Sequence, residues 1–353
     1  MGNRPATNRR PCGSNLHNVS EEPLLGRALW TLVLAAAVVI VVLSFARRPL
    51  LSPEGAAMDL GTPLVLWVPG SEAGGQAATL AAQAADRWDT TGHPATVGVL
   101  SGDSSTAVVD FLGSSRPNEL MVMTSGTLAE IVREESDGLL SEEAHERSRQ
   151  AVKLLEGATS IGVLAADPLE LAVRARSPIN NAPQVISLLH RSPLRPVFDL
   201  AADAWLQDNL AGLVGTAGLR GSIPYGVFAS SRQALASLDT GEDGIVVTPR
   251  SALRDRASSG DVRVLGWPAG VRARPQAWIA ILAAPGLAPS RVAALRRQAH
   301  ELNANGSWQA LLAEEGLAPV ELSDLATVRF VRRGLEEATQ LQSLAARVIR
   351  EQG

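Results

Sequence analysis

From Thr62 onward the chain alternates short apolar runs with segments of helical periodicity. PLVLWV (63–68), ATVGVL (95–100), ELMVMT (119–124) and SIGVLAA (160–166) have the length and apolar character of buried strands. LELAVRA (169–175), GIVVT (244–248), VRVLG (262–266) and AWIAILAA (277–284) continue the series. Helical patterns fall between them. In the first, Ala78, Ala81, Ala85 and Trp88 recur at spacings of three and four, which builds one apolar face. This alternation predicts an α/β protein with largely parallel sheets. The C-terminal part reads as helical over 289–303, 306–316 and 323–351, with Phe330, Leu335, Leu341 and Leu344 on an apolar stripe. Residues 135–150, ESDGLLSEEAHERSRQ, are charged and read as a solvated excursion.

A different pattern precedes these elements. Ala28–Ala46, ALWTLVLAAAVVIVVLSFA, holds no charge over 19 residues. As a helix it would span about 28 Å, close to the hydrocarbon core of a bilayer. Arg4, Arg9, Arg10 and Arg27 precede it, against Arg47 and Arg48 just after it. The positive-inside bias therefore predicts residues 1–27 in the cytoplasm and the bulk of the chain outside. The segment is read as an uncleaved anchor, although SFA at its end also fits a small-x-small cleavage site, which would make the chain secreted. Residues 47–61 read as a tether.

Composition narrows the chemistry. The 353-residue chain has a formal net charge of −4, and no basic patch suggests a nucleic-acid partner. Cys12 is the single cysteine, which excludes an internal disulfide framework and a cysteine-based metal site. His17, His93, His145, His190 and His300 are scattered without metal-ligand spacing. No G-x-S-x-G elbow, Walker A loop or G-x-G-x-x-G fingerprint occurs. The sequence therefore supports neither an enzyme nor a cofactor.

What remains are three polar turns, each read as lying between a strand and a helix. The first is Gly70–Gln76, with Ser71, Gly74, Gly75 and Gln76 as candidate ligand contacts. The second is Thr124–Thr127, with Thr124 and Ser125. The third is Ser222–Gly226, with Tyr225 and Gly226, ahead of a helical stretch at 230–238. Helix beginnings offer unpaired N–H groups to anions, and α/β sheets bind ligands beyond the carboxyl ends of their strands.

In this order the motifs resemble those of the substrate-binding proteins of tripartite tricarboxylate transporters, over about residues 62–345. PLVLWVPGSEAGGQAATLAAQAA resembles that family's opening strand, Val-Pro turn, Gly-Gly pair and first helix. LMVMTSGTLA, SIPYGVFASSRQALASLDTGEDGIVV and the run from AWIAILAAPGLAPSRVAALRRQAHELNANGSW to ATVRFVRRGLEEATQL resemble later segments. The resemblance implies a two-lobed, periplasmic-binding-protein-like fold (type II), behind the single transmembrane helix. It implies lobe 1 at 62–168 and 273–353, lobe 2 at 169–272, and a hinge near 166–169 and 270–275. It also implies capture of a small organic acid by lobe closure and delivery to integral membrane transporter subunits. Asp199 falls in the corresponding second-lobe loop.

The chain departs from the family pattern at Gly70, where an aromatic residue is usual, and at Glu72, which brings a charge into an anion-binding turn. A site holding Glu72 and Asp199 would suit an amide-bearing or cationic ligand better. A second reading is a binding-lobe domain that has lost transport and serves as a membrane-tethered sensor or scaffold, with a protein partner.

Overall fold

A computed structural model describes residues 63–350, except 115, 137–139, 192–196, 217–223, 241–243 and 269–275. The apolar run 28–46 and its tether lie outside the described residues. Among those described, no helix is long and apolar enough to cross a membrane.

The first part of the chain forms β1 (Leu64–Pro69), α1 (Gln76–Thr90), β2 (Ala95–Leu100), α2 (Ser104–Leu112), β3 (Glu119–Thr124), α3 (Ser125–Ser136), α4 (Glu142–Gly157) and β4 (Thr159–Arg174). The middle forms α5 (Ala182–Arg191), β5 (Phe198–Ala201), α6 (Ala204–Thr216), β6 (Tyr225–Phe228), α7 (Ser231–Ser237), β7 (Ile245–Pro249), α8 (Arg250–Ser258) and β8 (Val262–Gly266). The last part forms β9 (Gln276–Ala283), α9 (Pro289–Ala304), α10 (Gly306–Glu314) and α11 (Asp324–Arg350).

The strands make one nine-stranded sheet among the described residues, with path β2-β1-β3-β9-β4-β7-β5-β6 and β8 joined to β4. It is mixed rather than largely parallel. β1 pairs in parallel with β2 and β3, and β5 with β6 and β7. β9 and β4 run antiparallel between these sets. The separate strands expected at 160–166 and 169–175 are one 16-residue strand. Pro168 does not break it, because it pairs with Gln276 at the first residue of β9, where a missing N–H costs little.

This register fixes where the strands end. β3 is parallel to the first half of β4, and β7 is antiparallel to its second half, so the two parallel sets run toward each other. Thr124, the last residue of β3, is level with Ala165 through Ile279, whereas Pro249, the last of β7, pairs with Leu169. Those two levels are about 13 Å apart along β4.

Each section of the sheet is covered on both faces. In the first, Leu66, Leu80, Ala84, Ile281, Leu295 and Trp308 form one core. Met121, Ile131, Ala151, Trp278 and Leu282 form the other. In the second, Leu171, Phe198, Leu206, Leu213 and Val247 lie on one face and Ala172, Leu235, Val246 and Leu253 on the opposite one. The buried positions of α1 are Ala77, Leu80, Ala81, Ala84, Ala85 and Trp88, so the face read from the sequence is buried at Ala81, Ala85 and Trp88 and half-buried at Ala78. The charged stretch 135–150 is a correction: from Glu142 it is helix, not excursion. The hydroxyl of Ser141 caps α4 by accepting the Ala144 N–H at 3.3 Å, and Ser148 and Ala151 are buried. Its charges line the outer face, which hid the apolar positions in a short window. β5 and β6 carry no sequence signal, because four-residue strands containing Asp199 or a Tyr-Gly pair show no periodicity.

The long helix α11 touches both sections. An added Cβ on Gly334 would stand 2.7 Å from Cζ2 of Trp278, and one on Gly212 of α6 would stand 2.7 Å from Cδ2 of Leu341. Glycine at these positions lets α11 approach the first section at one point and α6 at the next.

Trp308 is fully buried, with the Arg87 guanidinium 5.4 Å from its ring centroid. Trp308→Ala should cost about 3–5 kcal/mol in chemical denaturation, through lost burial and the cavity it leaves. A loss below about 1 kcal/mol would mean that this core is not packed as described.

Candidate functional site

The carboxyl ends of β1, β3, β5, β6 and β7 converge on the middle of β4. A cavity of about 220 Å³ lies there, and its lining includes Glu72, Gln76, Thr124, Ser125, Asp167 and Asp203. Trp205, Ser231, Ser251 and Trp278 complete its polar and aromatic wall. Ala165, Ala166 and Asp167 of β4 and Ala277, Trp278 and Ile279 of β9 contribute backbone from the two strands that cross between the sections. A larger cavity, about 630 Å³, lies under α11 and is lined mainly by apolar side chains such as Met123, Leu128, Val152 and Val331. Trp278 borders both cavities. The smaller one holds convergent polar groups of the kind found in ligand sites, and it sits beyond the carboxyl ends of the strands, where α/β sheets commonly bind ligands.

The first turn is a short 3-10 turn, Gly70–Glu72, followed by Gly75 in extended conformation at the start of α1. Gly70 is required by close approach: an added Cβ would stand 2.9 Å from the Leu100 carbonyl oxygen. The Ser71 hydroxyl is 3.0 Å from that of Ser104, which donates to Glu130 at 2.7 Å. Ser71 is thus engaged with α2. Gly74 is exposed, and the Gly75 N–H donates to the Glu72 carbonyl at 2.9 Å.

At the second turn β3 passes into α3 without an intervening residue. The Thr124 hydroxyl accepts the Thr127 N–H at 2.9 Å, the bond that caps a helix start, and donates to Glu72 Oε1 at 2.6 Å. The Thr127 hydroxyl lies 3.0 Å from the same oxygen. Ser125 is buried, and its Oγ accepts the Trp278 N–H at 3.3 Å. The second sheet section contributes Asp203, whose Oδ1 caps α6 by accepting the Trp205 N–H at 2.8 Å and the Leu206 N–H at 3.2 Å. Its Oδ2 lies 3.8 Å from the position of an added Cβ on Gly126, so α3 and α6 begin face to face across the cavity. Behind them Arg133 of α3 pairs with Asp208 of α6 at 3.1 Å.

Of the residues read from the sequence, the structure brings Gln76, Thr124 and Ser125 to the cavity, with Ser71, Gly74 and Gly75 in the adjoining turn. It does not bring Asp199, Tyr225 or Gly226 there. Asp199 is buried in β5, where it accepts a hydrogen bond from Ser237. Tyr225 and Gly226 open strand β6 rather than a turn before a helix. They pair with Phe198 and Asp199 at the end of the strands away from the cavity, and Tyr225 is 56% exposed. Ser222 lies outside the described residues. Sequence reasoning missed Asp167, Asp203 and Ser251. Asp203 had a legible signal, an Asp just before the apolar-periodic AWLQDNL, which marks a helix start. Asp167 and Ser251 come together only through sheet register.

The Asp167 carboxylate accepts from the Ser251 N–H at 3.1 Å and the Ser251 hydroxyl at 2.5 Å. Burial outweighs these bonds and pushes its pKa up to about 6. Among the described residues no three His, Cys, Asp or Glu side chains gather as a metal site.

No known family profile and no curated protein matches the chain. Solved structures do. A TctC solute-binding protein from Polaromonas superposes with TM-score 0.60 at 15% identity, over 81% of this chain and 98% of its own. Rpa4515 of R. palustris, determined with adipate, gives 0.57 at 19% identity, over 80% and 97%. MatC of Rhodopseudomonas palustris, determined with bound malate, gives 0.55 at 16% identity, over 79% and 98%.

A carboxyl whose pKa is raised on folding adds stability below its unfolded value of 3.8, and that stability is lost as pH rises through about 6. The thermal midpoint of the protein, measured relative to Asp167→Asn, should therefore fall between about pH 4 and pH 7. A difference that is flat across this window would contradict burial of an ionisable Asp167.

The cavity's place at opposed strand ends and the superposed structures agree on one architecture: the chain has the α/β, periplasmic-binding-protein-like fold seen in the tripartite-tricarboxylate-type solute-binding proteins.

Proposed function

We propose that this protein is an extracytoplasmic solute-binding receptor and a divergent member of the tripartite tricarboxylate transporter substrate-binding family. It captures a small organic solute in the cavity at the middle of β4 and delivers it to integral membrane transporter subunits. The observation that carries this reading is the convergence of strand ends from both sheet sections on a single cavity with a polar wall. β4 and β9 act as the hinge, and residues 62–168 with 273–353 form one lobe and 169–272 the other. Ligand bound between the lobes favours the closed state by its differential affinity for that state. Ala28–Ala46 holds the receptor at the membrane with its bulk outside the cytoplasm. The role is binding without catalysis.

The sensor or scaffold reading draws on the first turn, where Glu72 stands in the family's anion-binding position and would weaken capture of an acid.

A thermal-shift screen of the full chain against mono-, di- and tricarboxylates, amino acids and amines separates the two. A solute at a hundred times its Kd should add about 2.7 kcal/mol of stability. Ser125→Asp, which puts a new negative charge on the buried cavity wall, should change that shift, removing it for an acid and enlarging it for an amine. Silence to every solute would favour the sensor reading, and an unchanged shift in Ser125→Asp would move the site elsewhere.

A further inference from the structure

The cavity contains an anion belonging to the chain itself. Glu72 leaves the turn after β1, and its carboxylate lies where two helices begin. Oε1 is bonded by the hydroxyls of Thr124, at 2.6 Å, and Thr127, at 3.0 Å, in the first turn of α3. Oε2 lies 3.2 Å from where a Cβ on Gly75 would stand, beside the start of α1. Gly75 offers α1 no side-chain cap, and the first turn of α1 has no acidic residue. Helix beginnings carry unpaired N–H groups and partial positive charge, the combination that binds external anions. Here a carboxylate from within the chain meets that charge.

The remaining ionisable groups on the cavity wall are also acidic. They are Asp167 and Asp203, and among the described residues no Lys, Arg or His lines the cavity. Asp203 spends Oδ1 on the cap of α6 and turns Oδ2 toward the first turn of α3. An incoming carboxylate would find the Thr124 and Thr127 hydroxyls taken by Glu72 and would face like charge in a partly desolvated space, where repulsion is stronger than in water. An ammonium group would find Glu72 on one side of the cleft and Asp203 on the other.

We propose that Glu72 sets the specificity of this cleft: it fills the place of a solute carboxylate, excludes small organic acids, and turns the cleft toward a small cationic solute. This rests on the receptor reading above and deepens it. The device combines an attractive element for one solute class with a repulsive element against another.

The test uses isothermal titration of the full chain in detergent with two probes, adipate and putrescine. The native protein should bind putrescine and give no heat with adipate. Glu72→Ala, which empties the space between Thr124, Thr127 and Gly75, should gain adipate binding and weaken putrescine at least about tenfold. Glu72→Gln keeps the shape and the hydroxyl contacts while removing the charge. It should fold as the native protein does and lose putrescine without gaining adipate, which keeps the test open if the alanine variant misfolds. Adipate binding by the native protein, or putrescine binding unchanged in Glu72→Gln, overturns the specificity inference and leaves the receptor reading standing. Silence of the native protein toward putrescine overturns the inference, and silence toward every solute of the wider screen as well takes the receptor reading with it.

Discussion

The antiparallel ladder between β4 and β9 is the interaction on which the rest of the molecule depends. These two strands are the sheet path between its two sections, and their pairing runs from Thr159–Ala283 to Pro168–Gln276. Because β3 pairs with β9 on one side and β7 with β4 on the other, the ladder also sets the opposed directions of the two parallel sets. Opposed directions put both groups of carboxyl ends at the middle of β4. Helices that start there, α1, α3, α6, α7 and α8, then point their N-termini into one space. The cavity is thus a consequence of strand direction, and side chains only tune it.

Contacts behind the cavity limit how that space can change. Arg133 and Asp208 join α3 to α6, and α11 leans on Trp278 through Gly334 and on α6 through Gly212. Any relative motion of the sections must slide or break these contacts. Asp167 lies near the middle of β4, held by Ser251 at the start of α8, and contributes to the cavity wall as well. Asp167 thus belongs both to the ladder and to the cavity wall.

Much of this fold was legible in the sequence because its signals are local. β2, β3 and β8 lie at the residues their apolar runs indicate, and the closing helices match the periodicity to within a few positions. The site was legible in part. Thr124 and Ser125 could be found because a strand running straight into a helix is visible in ELMVMTSGT. Asp199, Tyr225 and Gly226 were attractive as polar residues near turns, yet a four-residue strand reverses which end of the chain segment meets the cavity. Asp167 and Ser251 are 84 residues apart and meet through pairing that no window reveals. The charge of Glu72 was plain from the sequence. Its direction was not: the side chain turns back onto Thr124 and Thr127 instead of outward to water.

In the proposed reading the cleft is a solute site in which the chain supplies one of the charges that a ligand would otherwise bring. A crystal structure of the chain grown with adipate and putrescine together tests this most directly. The expected result is an ammonium within hydrogen-bond reach of Glu72 and Asp203, with Thr124 and Thr127 still bonded to Glu72. Adipate seated on Thr124 and Thr127, with Glu72 displaced from them, would contradict it.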